Sequence, residues 1–129
     1  MKKILSLVGI FAAVFLATSL NAQSIDGVFT GLKNGNAVQV AGNAGDNFSL
    51  TILDKGDNYS KQQGQQILKD FFTKNVVKGF EVKHKGNSPS GQYAIGTLTT
   101  SNGNYRINIF MKKDGSKEVI KELRFQLIE

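Results

Sequence analysis

His84 is the only imidazole in the chain. Imidazole titrates near neutral pH, so His84 is the residue best suited to acid–base work. Tyr59, Tyr93 and Tyr105 supply phenol groups that can hold an enolate or a polar ligand beside it. A histidine base with a tyrosine hydroxyl is the chemistry of a cofactor-free isomerase or lyase. A carboxylate base would instead need an inward Asp or Glu whose pKa burial has raised, and none can be named. Glu81 and Glu122 fall on outward strand positions, Asp54 and Asp57 in a turn, and Asp70 on the solvent side of a helix. One histidine without clustered carboxylates does not make a metal ligand set, and the absence of cysteine removes thiol nucleophiles, disulfides and thiolate metal sites. Gly31, Gly35 and Gly42 are too scattered for a phosphate loop, and there is no serine nucleophile motif. The expectation is no metal, no cofactor, and His84 as the lone catalytic candidate.

The elements that must position these residues are organised around the stretch from Phe48 to Phe72. Phe48, Leu50 and Ile52 alternate with Ser49, Thr51 and Leu53, a strand pattern. Asp54 to Asn58 are turn formers. Ser60 and Gln63 then fit a capping box, opening a helix whose stripe is Ile67, Leu68, Phe71 and Phe72, with Asn75 as its C-cap. Gly64 weakens that helix by about 1 kcal/mol relative to Ala, which points to a close backbone approach there.

Upstream, Ile25, Val28, Phe29 and Leu32 at i, i+3, i+4 and i+7 predict a helix capped by Ser24 and ended at Asn34-Gly35. Asn36 with Gln39 starts a short second helix, broken by Gly42 to Gly45. Downstream the period becomes two. Phe80, Val82 and His84 share one strand face, with Glu81, Lys83 and Lys85 on the other, before a loop from Gly86 to Gly91. Tyr93, Ile95, Thr97 and Thr99 alternate with Ala94, Gly96, Leu98 and Thr100. Asn102-Gly103 and Asp114-Gly115 are hairpin signals on either side of a strand whose inner face is Tyr105, Ile107, Ile109 and Met111. In the last strand Ile120 and Leu123 are three apart, so either a bulge lies between them or both faces are partly buried.

Met1-Lys2-Lys3, the apolar run Ile4 to Leu16 and the small or polar residues up to Ala22 have the layout of a secretory signal peptide. The apolar run is shorter than the ~20 residues a membrane span needs. Residues 1–22 are read as the signal and 23–129 as a single domain, exported to the periplasm or the cell exterior, with no stable membrane anchor. Losing Lys2 and Lys3 takes the formal charge from +6 to about +4, a mild excess that mainly serves solubility. Lys83, Lys85, Arg106, Lys112 and Lys121 or Arg124 can share an outer face, but Phe110 is the only aromatic there. Single-strand binding wants interleaved aromatics, so no nucleic-acid partner is expected.

The order helix, helix, strand, helix, meander resembles the nuclear transport factor 2-like superfamily, and more closely a family of small exported bacterial proteins of unknown function within it. The residues carrying the likeness are Leu32 to Asn36, Leu50 to Asp54, Tyr59-Ser60, Ile67 to Phe72, Val82 to His84, Tyr93 to Gly103 and Lys121 to Arg124. The resemblance implies an α+β, cone-shaped, cystatin-like fold: a curved antiparallel sheet packed on N-terminal helices and one long helix. Relatives include ketosteroid isomerases, polyketide cyclases, scytalone dehydratase and pure binding or dimerisation modules, so the fold does not assign a task. A ligand pocket in such a cone would be lined by Phe29, Phe72, Phe80, Val82, Tyr93, Ile107 and Phe125, with His84 and Tyr59 as polar fixtures. The same aromatics can fill a core, and a filled core is the expectation. Superfamily members often pair through the outer sheet face, which makes Leu98, Phe110 and Ile120 candidates for a homodimer surface. The role expected is non-catalytic, holding a small apolar or amphipathic ligand or pairing with protein; the alternative is the isomerase or lyase built on His84.

Overall fold

Ile25, Val28 and Leu32 do recur on one buried face, forming the first helix, α1 (Ile25–Asn34), in the computed structural model, which describes residues 24–128. The expected signal peptide and its cleavage point lie outside the described residues. Gly35 closes α1 with φ 61°, the left-handed conformation glycine adopts without penalty. Ser24 occupies the N-cap position, but its side chain makes no capping bond; its backbone N–H donates to Asn43 Oδ1 instead. Asn36 caps the second helix, α2 (Ala37–Gly42), by accepting from the Gln39 N–H.

The chain then forms β1 (Ala44–Ile52), β2 (Lys55–Ser60), the long helix α3 (Lys61–Lys74), and β3 (Val77–Ser88), β4 (Gly91–Thr100), β5 (Gly103–Asp114) and β6 (Lys117–Ile128). The capping box at α3 is complete, with Ser60 Oγ accepting from Gln63 N–H and Gln63 Oε1 accepting from Ser60 N–H. Gly64 faces the sheet, and a Cβ there would lie 2.3 Å from the Phe48 ring. The close approach read from the sequence is a glycine under an aromatic ring.

All six strands form one sheet in the order β2-β1-β6-β5-β4-β3. Every neighbouring pair is antiparallel except β1 with β6, which run parallel. The α+β class holds, and the sheet is mixed where an antiparallel one was expected. Alternation within a strand shows which residues share a face but not which distant strand lies alongside.

Three further differences have local causes. Asp54 to Asn58 are not all turn: the loop is Leu53-Asp54, and Lys55 to Ser60 pair with β1 as an edge strand. Charged and polar residues protect such an edge from further pairing, and they hide its strand pattern. The loop expected from Gly86 narrows to Pro89-Ser90, because Gly86 to Ser88 extend β3. The two other hairpin loops are Ser101-Asn102 and Gly115-Ser116, each one residue from the dipeptide that signals it.

A single core lies between the helices and the inner face of the sheet. Leu32, Val40, Phe48, Leu50, Leu68, Leu98, Ile107, Ile109, Leu123 and Phe125 are all buried in it. Each such side chain contributes roughly 1.5–3 kcal/mol by leaving water. The spacing of Ile120 and Leu123 is resolved by a bulge: Phe110 faces Glu122 while Met111 faces Ile120, leaving Lys121 as the extra residue. Among the described residues no helix is long and apolar enough to cross a membrane.

Candidate functional site

The residues singled out from the sequence do not converge. Phe80 and Val82 lie opposite Leu98 and Gly96, on the inner side of the sheet. The register then shifts: Val82 pairs with Gly96 but His84 pairs with Ile95, so Lys83 is an extra residue. A bulge of this kind turns the following side chains to the other face. His84 is therefore exposed on the outer face, 5.8 Å from the Tyr93 ring, and does not look into the cone with Phe80 and Val82. Lys85 falls to the inner side, where its ammonium lies 5.7 Å from the Phe29 ring centroid and 3.8 Å from Asp26.

In β4 the two faces are the reverse of those the expected pocket needs. Ala94, Gly96, Leu98 and Thr100 are buried, whereas Tyr93 and Ile95 are half-buried on the outer side. The reason is space: the Phe80 ring lies over Gly96, where a Cβ would stand 2.5 Å from it. Leu98 and Ile120, offered as outer-face residues, are fully buried, so the outer surface carries Phe110 with Tyr93 instead. Ile107 and Phe125 are sealed in the core. Phe72 packs with Phe71 and Phe125, at ring separations of 5.7 and 6.5 Å. The cone is filled at these positions. Tyr105 is also internal, its hydroxyl donating to Asn75 Oδ1 at 3.3 Å.

Tyr59 is different. It lines a groove of about 480 Å³ between α3 and the β1–β2 hairpin. Leu50, Ile52, Ile67 and Phe71 form the apolar floor; Leu53, Asp54, Lys55, Asp70, Lys74 and Asn75 form the rim. This size is within the range of small-molecule sites, which are typically apolar with a few polar groups. The far wall is held firmly, since Asn102 Nδ2 donates to Lys74 O at 2.6 Å and Asn75 N–H donates to Phe71 O.

The near wall is strained. Leu53 has φ 60°, the left-handed region, and it is the sole non-glycine residue there among the described residues. Such a conformation costs on the order of 1–3 kcal/mol. Its N–H donates to Phe125 O at 2.9 Å, pinning the hairpin tip to β6, while its side chain stays 48% exposed at the groove's lip. The rim charges are only partly spent. Lys74 pairs with Asp70 at 3.2 Å on the surface, a contact of small net value. Lys55 and the Tyr59 hydroxyl have no ion-pair or hydrogen-bond partner among the described residues.

Charge elsewhere is mostly local. Glu81 is held below the usual carboxylate range by its hydrogen bond from Lys83 and then by that ammonium's charge. Among the described residues no three His, Asp or Glu side chains are grouped to hold a metal ion. The sequence pattern points to Tyr59 but not to this groove, because Asp54 to Asn58 read as turn formers and the wall that Lys55–Ser60 supply carries no strand alternation. The signal available was Tyr59 itself, an aromatic two residues before Lys61 and out of step with any turn.

Residues 25–126 match the family described as Domain of unknown function (DUF4783). A crystal structure of a protein of that family from Bacteroides ovatus is 37% identical, with TM-score 0.77, over 80% of this chain and 94% of the other. A domain of unknown function with a cystatin-like fold from Nostoc punctiforme is similar at TM-score 0.61 and 12% identity, over 88% of this chain and 77% of the other. A designed NTF2 protein with a long sheet is similar at TM-score 0.64 and 13% identity, over 78% and 94% respectively. The last two show the fold alone. No functionally curated protein matches the sequence.

Proposed function

The chain belongs to the DUF4783 family of domains of unknown function, and from its geometry we propose a non-catalytic binding module that holds a small amphipathic molecule between α3 and the β1–β2 hairpin. The observation that carries this reading is the groove, apolar on its floor and bearing an unpaired lysine and phenol at its edge. An occupant with an apolar body would cover Leu50, Ile52, Ile67 and Phe71. A carboxylate head would meet Lys55 and the Tyr59 hydroxyl at the rim, where hydrogen bonds to a charged group are the stronger kind. The strain at Leu53 supports the same reading, because unfavourable backbone states tend to persist where function requires them.

Decanoate is a suitable probe, followed by calorimetric titration. One saturable site is expected. Ile67→Asp, which puts a like charge on the floor, is expected to weaken binding about tenfold or more. Leu53→Gly should raise thermal stability by about 1 kcal/mol, since glycine takes positive φ freely, while weakening binding through the lost apolar lip. Decanoate binding that ignores both substitutions overturns the proposal.

Export belongs to the same proposal. The Lys2-Lys3, Ile4 to Leu16 and Ala22 layout supports a cleaved signal peptide. N-terminal sequencing of the protein from a bacterial expression host is expected to begin at Gln23, and a chain retaining Met1 in the cell interior contradicts it. A second reading, pairing of two copies through the outer sheet face, is favoured by one observation. Phe110 is 41% exposed and stacks on Tyr93 at 6.5 Å, with His84 continuing the row.

A further inference from the structure

A separate cavity of about 380 Å³ opens at the opposite end of β1 from the groove's hairpin tip, lined by Lys61, Lys112, Lys113 and Lys117 together with Asp46 and Asp114. The four lysines come from three elements, α3, β5 and the start of β6, so the fold rather than the sequence brings them together. None has a carboxylate partner within ion-pair distance among the described residues, although Asp46 and Asp114 line the same space. The cavity occupies a break in the sheet. Between Ala44 and Ser49 the β1–β6 register is interrupted, and Lys112 extends over Gly45 there, its Cε 4.0 Å from where a Cβ would stand.

Like charges gathered without partners repel one another and lower stability. A multivalent anion reverses that cost. We propose that this cavity binds a small multivalent phosphate, of the pyrophosphate or phosphomonoester class. Lysine presents a compact charge with three rotatable donors and binds phosphate as a point charge, so a cluster of them can share the oxygens of one phosphate group. Four lysines against two aspartates leave a positive surplus, and because the attraction to it grows with the ligand's charge, a multivalent anion gains more there than a monovalent one.

The test is calorimetric titration of pyrophosphate into the protein at low ionic strength, compared with acetate. Pyrophosphate is expected to bind at one site and acetate not detectably. The double variant Lys112→Ala/Lys117→Ala should bind pyrophosphate at least about tenfold more weakly, with Tm unchanged or raised. Lys78→Ala/Lys121→Ala removes the same charge outside the cavity and should leave binding within about twofold. Equal losses in both double variants would mean that net charge alone attracts the anion, and would overturn the site, as would an absence of pyrophosphate binding. Vesicles containing phosphatidic acid form the second arm: lysine-dependent sedimentation with them would identify a lipid headgroup as the phosphate's source, and its absence beside pyrophosphate binding a free phosphate.

Discussion

Phe125→Ala is expected to cost about 3–5 kcal/mol, a large share of the roughly 5–15 kcal/mol that holds a small domain folded. Phe125 is fully buried and meets Phe71 edge-on at 4.9 Å, with Phe72 at 6.5 Å. Its backbone carbonyl also receives the Leu53 N–H, so the same residue ties the core to the groove's lip. Truncation removes the ring's transfer energy and leaves a void that neighbours on three elements cannot close. Urea unfolding reads the effect as a lower midpoint with little change in slope. A loss below about 1 kcal/mol would mean that the ring faces an existing hollow, and the cone would then be open where the structure has it filled.

Gly64→Ala is expected to destabilise by about 1–3 kcal/mol, against the direction helix propensity would give. In an exposed helix the substitution gains about 1 kcal/mol. Here the new methyl would stand 2.3 Å from Cε1 and Cζ of Phe48, a buried ring on β1. The clash exceeds the propensity gain because either the ring must leave its rotamer or α3 must lift from the sheet. Gly42→Ala provides the contrast, since nothing stands within 4 Å of its Cβ position at the end of α2. It is expected to be neutral or stabilising by up to about 1 kcal/mol. Thermal melts should show Gly64→Ala lowered and Gly42→Ala unchanged or raised; a stabilising Gly64→Ala would contradict the docking of α3 on β1.

Much of this fold was legible because its signals are local. The Ser60–Gln63 box, the Gly35 terminus and the Asn36 cap each depend on residues a few positions apart, whereas the spacing of Ile120 and Leu123 left a bulge and two buried faces as alternatives that only the pairing with β5 separates. What was hidden depends on distant neighbours. Tyr93 and Leu98 lie on opposite faces of β4, and both faces offer apolar residues. The inward face is the one on which the Phe80 ring packs over Gly96, a contact between two strands. The Lys83 bulge likewise moves His84 to the outside. A trace of it is visible in the sequence, since no apolar residue follows Val82 on that strand. The groove required the parallel β1–β6 contact and an edge strand without apolar alternation, and neither leaves a pattern along the chain.

The most direct test of the binding proposal is a two-dimensional NMR titration of the isotope-labelled protein with decanoate. Shifts are predicted to concentrate on Ile52, Leu53, Lys55, Tyr59, Ile67, Asp70 and Lys74, saturating together with one binding constant. Shifts confined to Tyr93, Ile95 and Phe110, or changing with protein concentration rather than with decanoate, would contradict the groove and favour pairing through the outer sheet face.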